Sequence, residues 1–82
     1  MKEFLRFVVG ELIDFPEAIA LREEDRDETK LYLLELPHSE VGKVIGKQGH
    51  TIRAIRSLMV ATASRQGNRV TLEILERREI GN

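Results

Sequence analysis

Residues 41–56 have the sequence V-G-K-V-I-G-K-Q-G-H-T-I-R-A-I-R, and this stretch decides the fold. At its centre, Gly46-Lys47-Gln48-Gly49 places two glycines around two polar residues, with apolar residues at helical spacing on both sides. Glycine permits a positive φ angle and a close approach of another backbone segment, as a tight turn between helices requires. Such a turn leaves free N–H groups at the start of the second helix, where the helix dipole favours anions. The stretch therefore predicts a helix, a tight turn that suits a phosphate, and a second helix.

The N-terminal segment, residues 2–14, predicts an amphipathic helix. Its apolar residues recur at intervals of three and four positions: Leu5, Val8, Val9 and Leu12. Pro16 ends the helix because proline disfavours helical geometry at the preceding residue. We expect all three phenylalanines of the chain to pack in the core or between helices rather than to stack on bases: Phe4, Phe7 and Phe15.

The next segment predicts a β-hairpin. Weak alternation over residues 17–22 gives the first strand, the polar run at residues 23–28 gives the turn, and residues 29–36 are rich in strand-forming types. Two faces of the second strand compete for the core, and we favour the longer apolar set: Tyr32, Leu34 and Leu36. The surplus apolar residues on the other face, Leu31 and Leu33, imply either a partly covered second face or a protein partner.

After Pro37, the pattern predicts a short helix, a long helix and a third strand. Ser39 is the expected N-cap of a short helix that runs through Val44. The long helix is expected over residues 50–65, and one set of its residues should face the sheet: Ile52, Ile55, Met59 and Ala63. A second stripe on this helix is either secondary core or a self-association patch: Ala54, Leu58 and Ala61. Clean alternation over residues 69–75 gives the third strand.

The expected order of elements is therefore α-β-β-α-α-β, and the expected fold class is α+β, with a three-stranded sheet packed against helices on one face. A chain of 82 residues has room for one domain. We expect residues 1–76 to form this domain and residues 77–82 to form a frayed tail, because they show no pattern that demands order.

Charge is distributed unevenly along the chain, although the net charge is only −1. Residues 1–41 contain five Lys or Arg and eleven Asp or Glu, whereas residues 42–82 contain eight and three. No acidic residue occurs between Val41 and Leu72. One interpretation is chance together with a solvated acidic hairpin. The other is a positive field around the glycine turn that attracts phosphates.

The sequence offers no catalytic or metal-binding arrangement. The residues from Gly42 to Lys47 do not match a P-loop, which needs four residues between its glycines and a Ser or Thr after the lysine. There is no cysteine, and the two histidines, His38 and His50, have no partners at metal-ligand spacing. We therefore expect no enzymatic activity, no cofactor and no metal. The first residues lack the features of a signal peptide, so we expect a cytoplasmic protein.

The pattern I-G-x-x-G-x-x-I, formed by Ile45, Gly46, Gly49 and Ile52, resembles the signature of the KH domain. This domain is an RNA-binding module whose GxxG loop clamps about four nucleotides of backbone. The resemblance extends from the first helix to about residue 76, and the predicted order of elements matches the type II, or bacterial, arrangement of the KH fold. The chain thus resembles the small stand-alone bacterial KH proteins of the KhpA type.

The RNA-binding interpretation assigns roles to ten residues: Gly42, Lys43, Val44, Ile45, Gly46, Lys47, Gln48, Gly49, His50 and Arg53. In these roles the loop glycines permit close approach of the RNA backbone. Lys47 pairs with a phosphate, and Gln48 forms a hydrogen bond with phosphate or sugar. His50 and Arg53 flank the path of the strand. The resemblance also implies an apolar groove for the bases, lined by Val44 and Ile45 together with strand residues such as Leu34 or Leu36.

We therefore expect a non-catalytic protein that clamps single-stranded RNA, an RNA chaperone or a post-transcriptional regulator. Because aromatic residues are scarce in the basic half, one domain should bind weakly and with little sequence discrimination. Dimerisation would add a second groove, and the resemblance implies both a homodimer and a larger KH-containing partner protein. Two alternatives remain open. One is a ribosome- or cell-division-associated protein-interaction adaptor with a structural glycine turn, and the other is single-stranded DNA binding in the same groove.

Overall fold

The computed structural model describes residues 1–78 and has the predicted order of elements, α-β-β-α-α-β. The elements are α1 Lys2–Leu12, β1 Ala20–Arg26, β2 Thr29–Pro37, α2 His38–Ile45, α3 His50–Arg65 and β3 Arg69–Arg77. Short 3₁₀ turns lie at Pro16–Ala18 and Lys47–Gly49. The expected α+β class is confirmed, and the loop at Lys47–Gly49 joins α2 to α3.

The three strands form one sheet in the order β1-β2-β3. β1 is antiparallel to β2, whereas β3 is parallel to β2. A parallel pair requires a crossover connection, and α2, the glycine loop and α3 together supply it. The predicted RNA-binding loop therefore lies in the middle of the crossover connection between β2 and β3.

One hydrophobic cluster joins the helices to one face of the sheet. Its buried members come from every helix and strand: Leu5, Val9, Ile13, Leu21, Tyr32, Leu34, Leu36, Val44, Ile52, Ile55, Met59 and Leu72. The favoured face of β2 is thus the core face, and the four residues predicted for the buried side of α3 are all buried.

The second face of β2 is also covered at its centre. Leu31 and Leu33 are buried but lie outside the main cluster. In the sheet register, Arg22 of β1 and Glu73 of β3 lie on either side of Leu33, and side chains of such neighbours share a face. The aliphatic parts of long charged side chains can cover apolar surface in this way. The surplus leucines therefore form a partly covered second face.

The hairpin differs from the sequence prediction in its boundaries. The sequence predicts a polar turn over residues 23–28, but β1 continues to Arg26, so that only Asp27 and Glu28 form the turn. Asp27 has a φ angle of +54°, which aspartate tolerates better than most residues. Pairing with β2 overrides the low strand propensity of the acidic run, and Lys30 contacts the carboxylates of Glu23 and Asp25 at 3.2 and 3.8 Å.

Two element ends also differ from prediction. Ser39 lies inside the first turn of α2, whose N-cap is Pro37, and no side chain caps this helix. β3 reaches Arg77, beyond the predicted strand end at residue 75. The guanidinium of Arg77 donates to the carbonyl of Ala18 at 2.6 Å and to Glu35 Oε2 at 3.3 Å. Residues 79–82 of the expected tail lie outside the described residues.

Several apolar side chains expected in the interior lie on the surface. Phe7 and Phe15 are 68% and 58% exposed, so only Phe4 packs against the core as predicted. On α3, Leu58 is 54% exposed, and Ala54 and Ala61 are also exposed. The second stripe of α3 is therefore not secondary core.

Within residues 1–78, none of the helices combines the length and apolar character that crossing a membrane requires.

Candidate nucleic-acid interface

The loop between α2 and α3 is a single 3₁₀ turn built on unusual backbone angles. The N–H of Gly46 donates to the carbonyl of Gly42 at 2.9 Å and closes α2, and the N–H of Gly49 donates to the carbonyl of Gly46 at 3.1 Å. Gly46, Gln48 and Gly49 have φ angles of +77°, +56° and +75°. Three positive φ angles within four residues turn the chain sharply enough for α3 to begin at once.

The two loop glycines are required for different reasons. Gly46 has φ 77° and ψ 172°, a region that only glycine occupies readily. A Cβ atom on Gly46 would overlap the side chain of Thr51, so that Thr51 would have to move to admit any side chain at position 46. Gly49 is in the left-handed helical region, and a Cβ atom on it would only touch the Arg53 guanidinium at 3.5 Å. Gly46 is therefore fixed by packing as well as by backbone geometry.

Three polar side chains are linked around the loop. Arg53 Nη2 donates to the carbonyl of Gln48 at 2.9 Å and lies 3.4 Å from His50 Nδ1. His50 Nε2 in turn lies 3.3 Å from Gln48 Oε1. Lys47 is exposed, and among residues 1–78 no carboxylate forms an ion pair with it. The structure thus brings the predicted residues Lys47, Gln48, His50 and Arg53 together at the start of α3, with the Lys47 charge open to solvent.

Lys43, by contrast, forms ion pairs with two carboxylates. Its ammonium lies 2.5 Å from Asp14 Oδ2 and 2.7 Å from Glu40 Oε1. Glu40 is only 1% exposed, and its other oxygen accepts the backbone N–H of Phe15 at 2.8 Å. The hydrogen bonds that Lys43 donates to Asp14 and Glu40 raise the pKa of Lys43. The hydrogen bond from Lys43, together with the Phe15 N–H, holds the pKa of the Glu40 carboxyl below its usual value despite burial.

The buried carboxylate of Glu40 is a feature that the sequence prediction missed. The spacing of Glu40 and Lys43 on one helix is visible in the sequence, because residues three apart share a face. Asp14, however, comes 29 residues before Lys43, and no local pattern indicates that contact. Because its charge is paired with Asp14 and Glu40, Lys43 does not add to the exposed positive charge of the loop.

The predicted apolar groove is not formed by the expected side chains. Val44, Leu34 and Leu36 have no exposed surface and belong to the core, whereas Ile45 is partly buried. Val44, Leu34 and Leu36 therefore do not contact solvent, and of these four residues Ile45 alone is partly exposed. An apolar cleft of about 240 Å³ lies instead between α3 and β3. It is lined by Arg56, Met59, Val60, Val70, Thr71 and Leu72.

Arg56 crosses this cleft, since its Nη2 donates to the carbonyl of Leu72 at 3.1 Å. The cleft residues come from the predicted helix and strand, so the signal for them was present in the sequence. What the sequence did not indicate was how α3 and β3 approach each other. Among residues 1–78, no group of three or more His, Cys, Asp or Glu residues is placed to hold a metal ion.

Comparison with known proteins identifies relatives over almost the whole chain. The profile of the family described as KhpA/KhpB, KH domain, matches residues 2–74. The RNA-binding protein KhpA of Chlamydia trachomatis is 47% identical over 78 residues, which cover 95% of this chain and 100% of that protein. The RNA-binding proteins KhpA of Listeria monocytogenes and Aquifex aeolicus are each 37% identical over 76 residues, or 93% of this chain and 100% and 96% of theirs.

Proposed function

Because the chain belongs to the KhpA/KhpB family of KH domains, we propose that it binds single-stranded RNA, without catalysis, by clamping the backbone at the loop Gly46–Gly49. The observation that carries this proposal is the exposed side chain of Lys47, which lies directly after Gly46 and just before α3 and forms no ion pair with any carboxylate of residues 1–78. The relatives' names support RNA as the ligand. A helix N-terminus favours a phosphate because its dipole and its N–H groups both attract anions.

Each loop residue has a role in this proposal. Lys47 pairs with a phosphate as a point charge, and Gln48 donates its amide to a phosphate or a ribose oxygen. Arg53 holds the carbonyl of Gln48 through Nη2, and a guanidinium has five N–H donors, so further donors remain for the RNA. His50 lies between the side chains of Gln48 and Arg53, at the edge of the path that we assign to the RNA.

The cleft between α3 and β3 is the surface that we assign to the bases. Its lining is mainly apolar, and it contains no aromatic ring on which a base could stack. Stacking on an aromatic side chain contributes about 1–3 kcal/mol per base, so its absence favours weak binding with little sequence discrimination. These properties suit an RNA chaperone or a post-transcriptional regulator.

A homodimer through α3 would compensate for this weakness. Leu58 and Val60 are about half exposed, and the small residues Ala54 and Ala61 flank Leu58 along the helix. In an antiparallel pair of α3 helices centred between Ser57 and Leu58, Ala54 would face Ala61 of a second copy and allow close approach. Two linked loops raise the effective concentration of the second site. Light scattering during size-exclusion chromatography should give a dimer for the wild type and a monomer for Leu58→Asp; a monomeric wild type refutes the dimer.

The RNA clamp is tested by fluorescence anisotropy with a short labelled single-stranded RNA across a salt series. Lys47→Asp combined with Gln48→Asp should abolish binding while circular dichroism shows an intact fold. The wild type should give a log–log salt slope of about −1.5 to −3, as expected for roughly two to four phosphate contacts on a single strand. Single-stranded DNA of the same sequence, measured in parallel, separates RNA from DNA binding.

A matched control distinguishes the clamp from general electrostatics. Arg6→Asp combined with Phe7→Asp makes the same change in charge at exposed positions of a different helix, α1. This control should retain most of the affinity. Equal losses in both double variants would indicate non-specific attraction, and the loop would then have no special role.

A protein-interaction adaptor is the second candidate, and the exposed side chains of Phe7 and Phe15 favour it. Large exposed aromatic residues often mark surfaces that contact other proteins. If the wild type and the loop variant fail to bind RNA alike, the loop is a structural turn and the adaptor function replaces RNA binding.

A further inference from the structure

The ion pairs of Lys43 bear on how strongly the loop can bind RNA. Lys43 lies three residues before Gly46, and therefore on the same side of α2 as the start of the loop. A lysine at this position would be expected to add its charge to that of Lys47. Instead its ammonium lies against Asp14 and Glu40, both at ordinary charge-assisted hydrogen-bond distance or closer.

The direction of the Lys43 side chain has a structural cause. Long side chains on a helix lean toward its N-terminus, which brings Lys43 back toward Glu40 on the preceding turn. Glu40 is almost fully buried, and a buried carboxylate needs a cation or hydrogen-bond donors to remain ionised. Lys43 supplies the cation, and the N–H of Phe15 supplies a donor from the connection between α1 and β1.

Asp14 completes the arrangement from the same connection. Its side chain is 68% exposed, so it is not needed to fill the interior, and its carboxylate accepts a second hydrogen bond from the Lys43 ammonium. Lys43 itself remains 40% exposed. The side chain therefore reaches solvent, but two carboxylates compete for its ammonium with any phosphate that approaches.

We infer that Asp14 and Glu40 are positioning residues of the RNA site, which hold the Lys43 charge away from the loop and so limit the number of phosphates that one domain contacts. The inference rests on the proposed RNA-binding function. In this arrangement, Lys47 and Arg53 supply the phosphate contacts while Lys43 stays paired with Asp14 and Glu40. Lys43 is a further phosphate ligand that becomes available when the carboxylates are weakened.

The test uses Asp14→Asn, because Asp14 is exposed and its replacement should leave the fold intact. Affinity for the short single-stranded RNA should rise about two- to fivefold, the range expected for one exposed charge pair. The log–log salt slope should become steeper by about 0.7, the value for one more phosphate contact on a single strand. A purely structural role for Asp14 would change neither quantity in this direction.

Two comparisons separate this effect from a general loss of negative charge. Glu11→Gln removes an exposed acid of α1, close in sequence to Asp14, and should leave the salt slope unchanged. In a Lys43→Gln background, Asp14→Asn should have no larger effect than Glu11→Gln, since the cation on which it acts is gone. If Asp14→Asn behaves like Glu11→Gln in the native background, or acts equally without Lys43, the inference is wrong.

A measurement without RNA distinguishes failure of the ion pair from failure of the proposed function. The pKa of Lys43, followed by NMR of its side chain, should fall in Asp14→Asn, because the bond to Asp14 raises it. An unchanged pKa would show that Asp14 does not hold Lys43 and would overturn the inference even if RNA binding is confirmed. If the wild type shows no affinity for RNA, the proposed function and this inference fail together.

Discussion

Alanine substitution of three glycines around the loop should give a defined order of stability. Gly42, Gly46 and Gly49 lie within eight residues, yet their surroundings differ. A Cβ atom on Gly42 would meet nothing within 4 Å, one on Gly49 would make an ordinary contact with Arg53, and one on Gly46 would overlap Thr51. The same chemical change therefore probes open space, backbone strain alone, and strain combined with a steric clash.

The expected size of each effect follows from these surroundings. Gly42→Ala lies within α2 and should stabilise the domain by up to about 1 kcal/mol, the difference in helix propensity. Gly49→Ala should cost about 1 kcal/mol because alanine must adopt a left-handed conformation. Gly46→Ala should cost about 3 kcal/mol, since backbone strain and overpacking each contribute roughly 1–3 kcal/mol.

Thermal unfolding followed by circular dichroism measures these differences. For a domain of this size, 1 kcal/mol shifts Tm by about 4–8 °C. Gly46→Ala should therefore lower Tm by about 12–24 °C, Gly49→Ala by about 4–8 °C, and Gly42→Ala should raise it slightly. If Gly46→Ala is tolerated as well as Gly49→Ala, the close approach of Thr51 is not a constraint on the fold, and the argument from packing is refuted.

Two further predictions concern the carboxylate of Glu40 and the last residue of β3. Because Lys43 lowers the pKa of Glu40, the resulting stabilisation is complete above the ordinary glutamate pKa of about 4.3 and is lost as the pH falls through the lower folded-state value. The Tm difference between wild type and Glu40→Gln should thus be largest near neutral pH and shrink toward pH 3; a constant difference would contradict this. Arg77→Met removes the bonds to Ala18 and Glu35 and should cost about 1–2 kcal/mol in urea unfolding, whereas no loss would show that these bonds do not stabilise the domain.

The sequence predicted best those features that depend on local periodicity. The bounds of α3 and its buried residues agree with the 3.6-residue repeat, because packing against the sheet requires one continuous apolar stripe. The order of elements was predictable for the same reason. The glycine loop was also predictable, since its positive φ angles demand residue types that stand out in the sequence.

Features that depend on distant contacts were not predictable in this way. β1 includes an acidic run because β2 offers it a pairing partner, and this tertiary contact outweighs the low propensity of Glu and Asp for strands. Phe7 and Phe15 are exposed although phenylalanine is usually buried. Helical periodicity places Phe7 opposite the apolar stripe of α1, so its exposure could have been predicted, whereas Phe15 follows the helix and has no such signal.

The residues of the candidate site also differ in whether local sequence or distant contacts decide their environment. Lys47 and its neighbours could be assigned from the motif, because their positions relative to Gly46 and α3 are fixed by a few residues of chain. Lys43 looked equivalent to Lys47 in the sequence, but its environment depends on Asp14, which lies in the connection between α1 and β1. Val44 lies on the apolar face of α2, as the helical periodicity predicts. Periodicity alone, however, does not distinguish a core residue, which Val44 is, from one that lines a groove.

The parallel pairing of β2 with β3 also affects the chain during its synthesis. β2 is the central strand and rich in leucine, and its partner in β3 follows 40 residues later, as in the pair Thr29 and Arg69. At about 5–20 residues per second, one edge of β2 stays open for roughly 2–8 s after its translation. Open apolar strand edges promote aggregation, and charged residues or proline on them oppose it. Lys30, Glu35 and Pro37 on β2 are thus placed to protect the nascent chain until the ribosome has delivered β3.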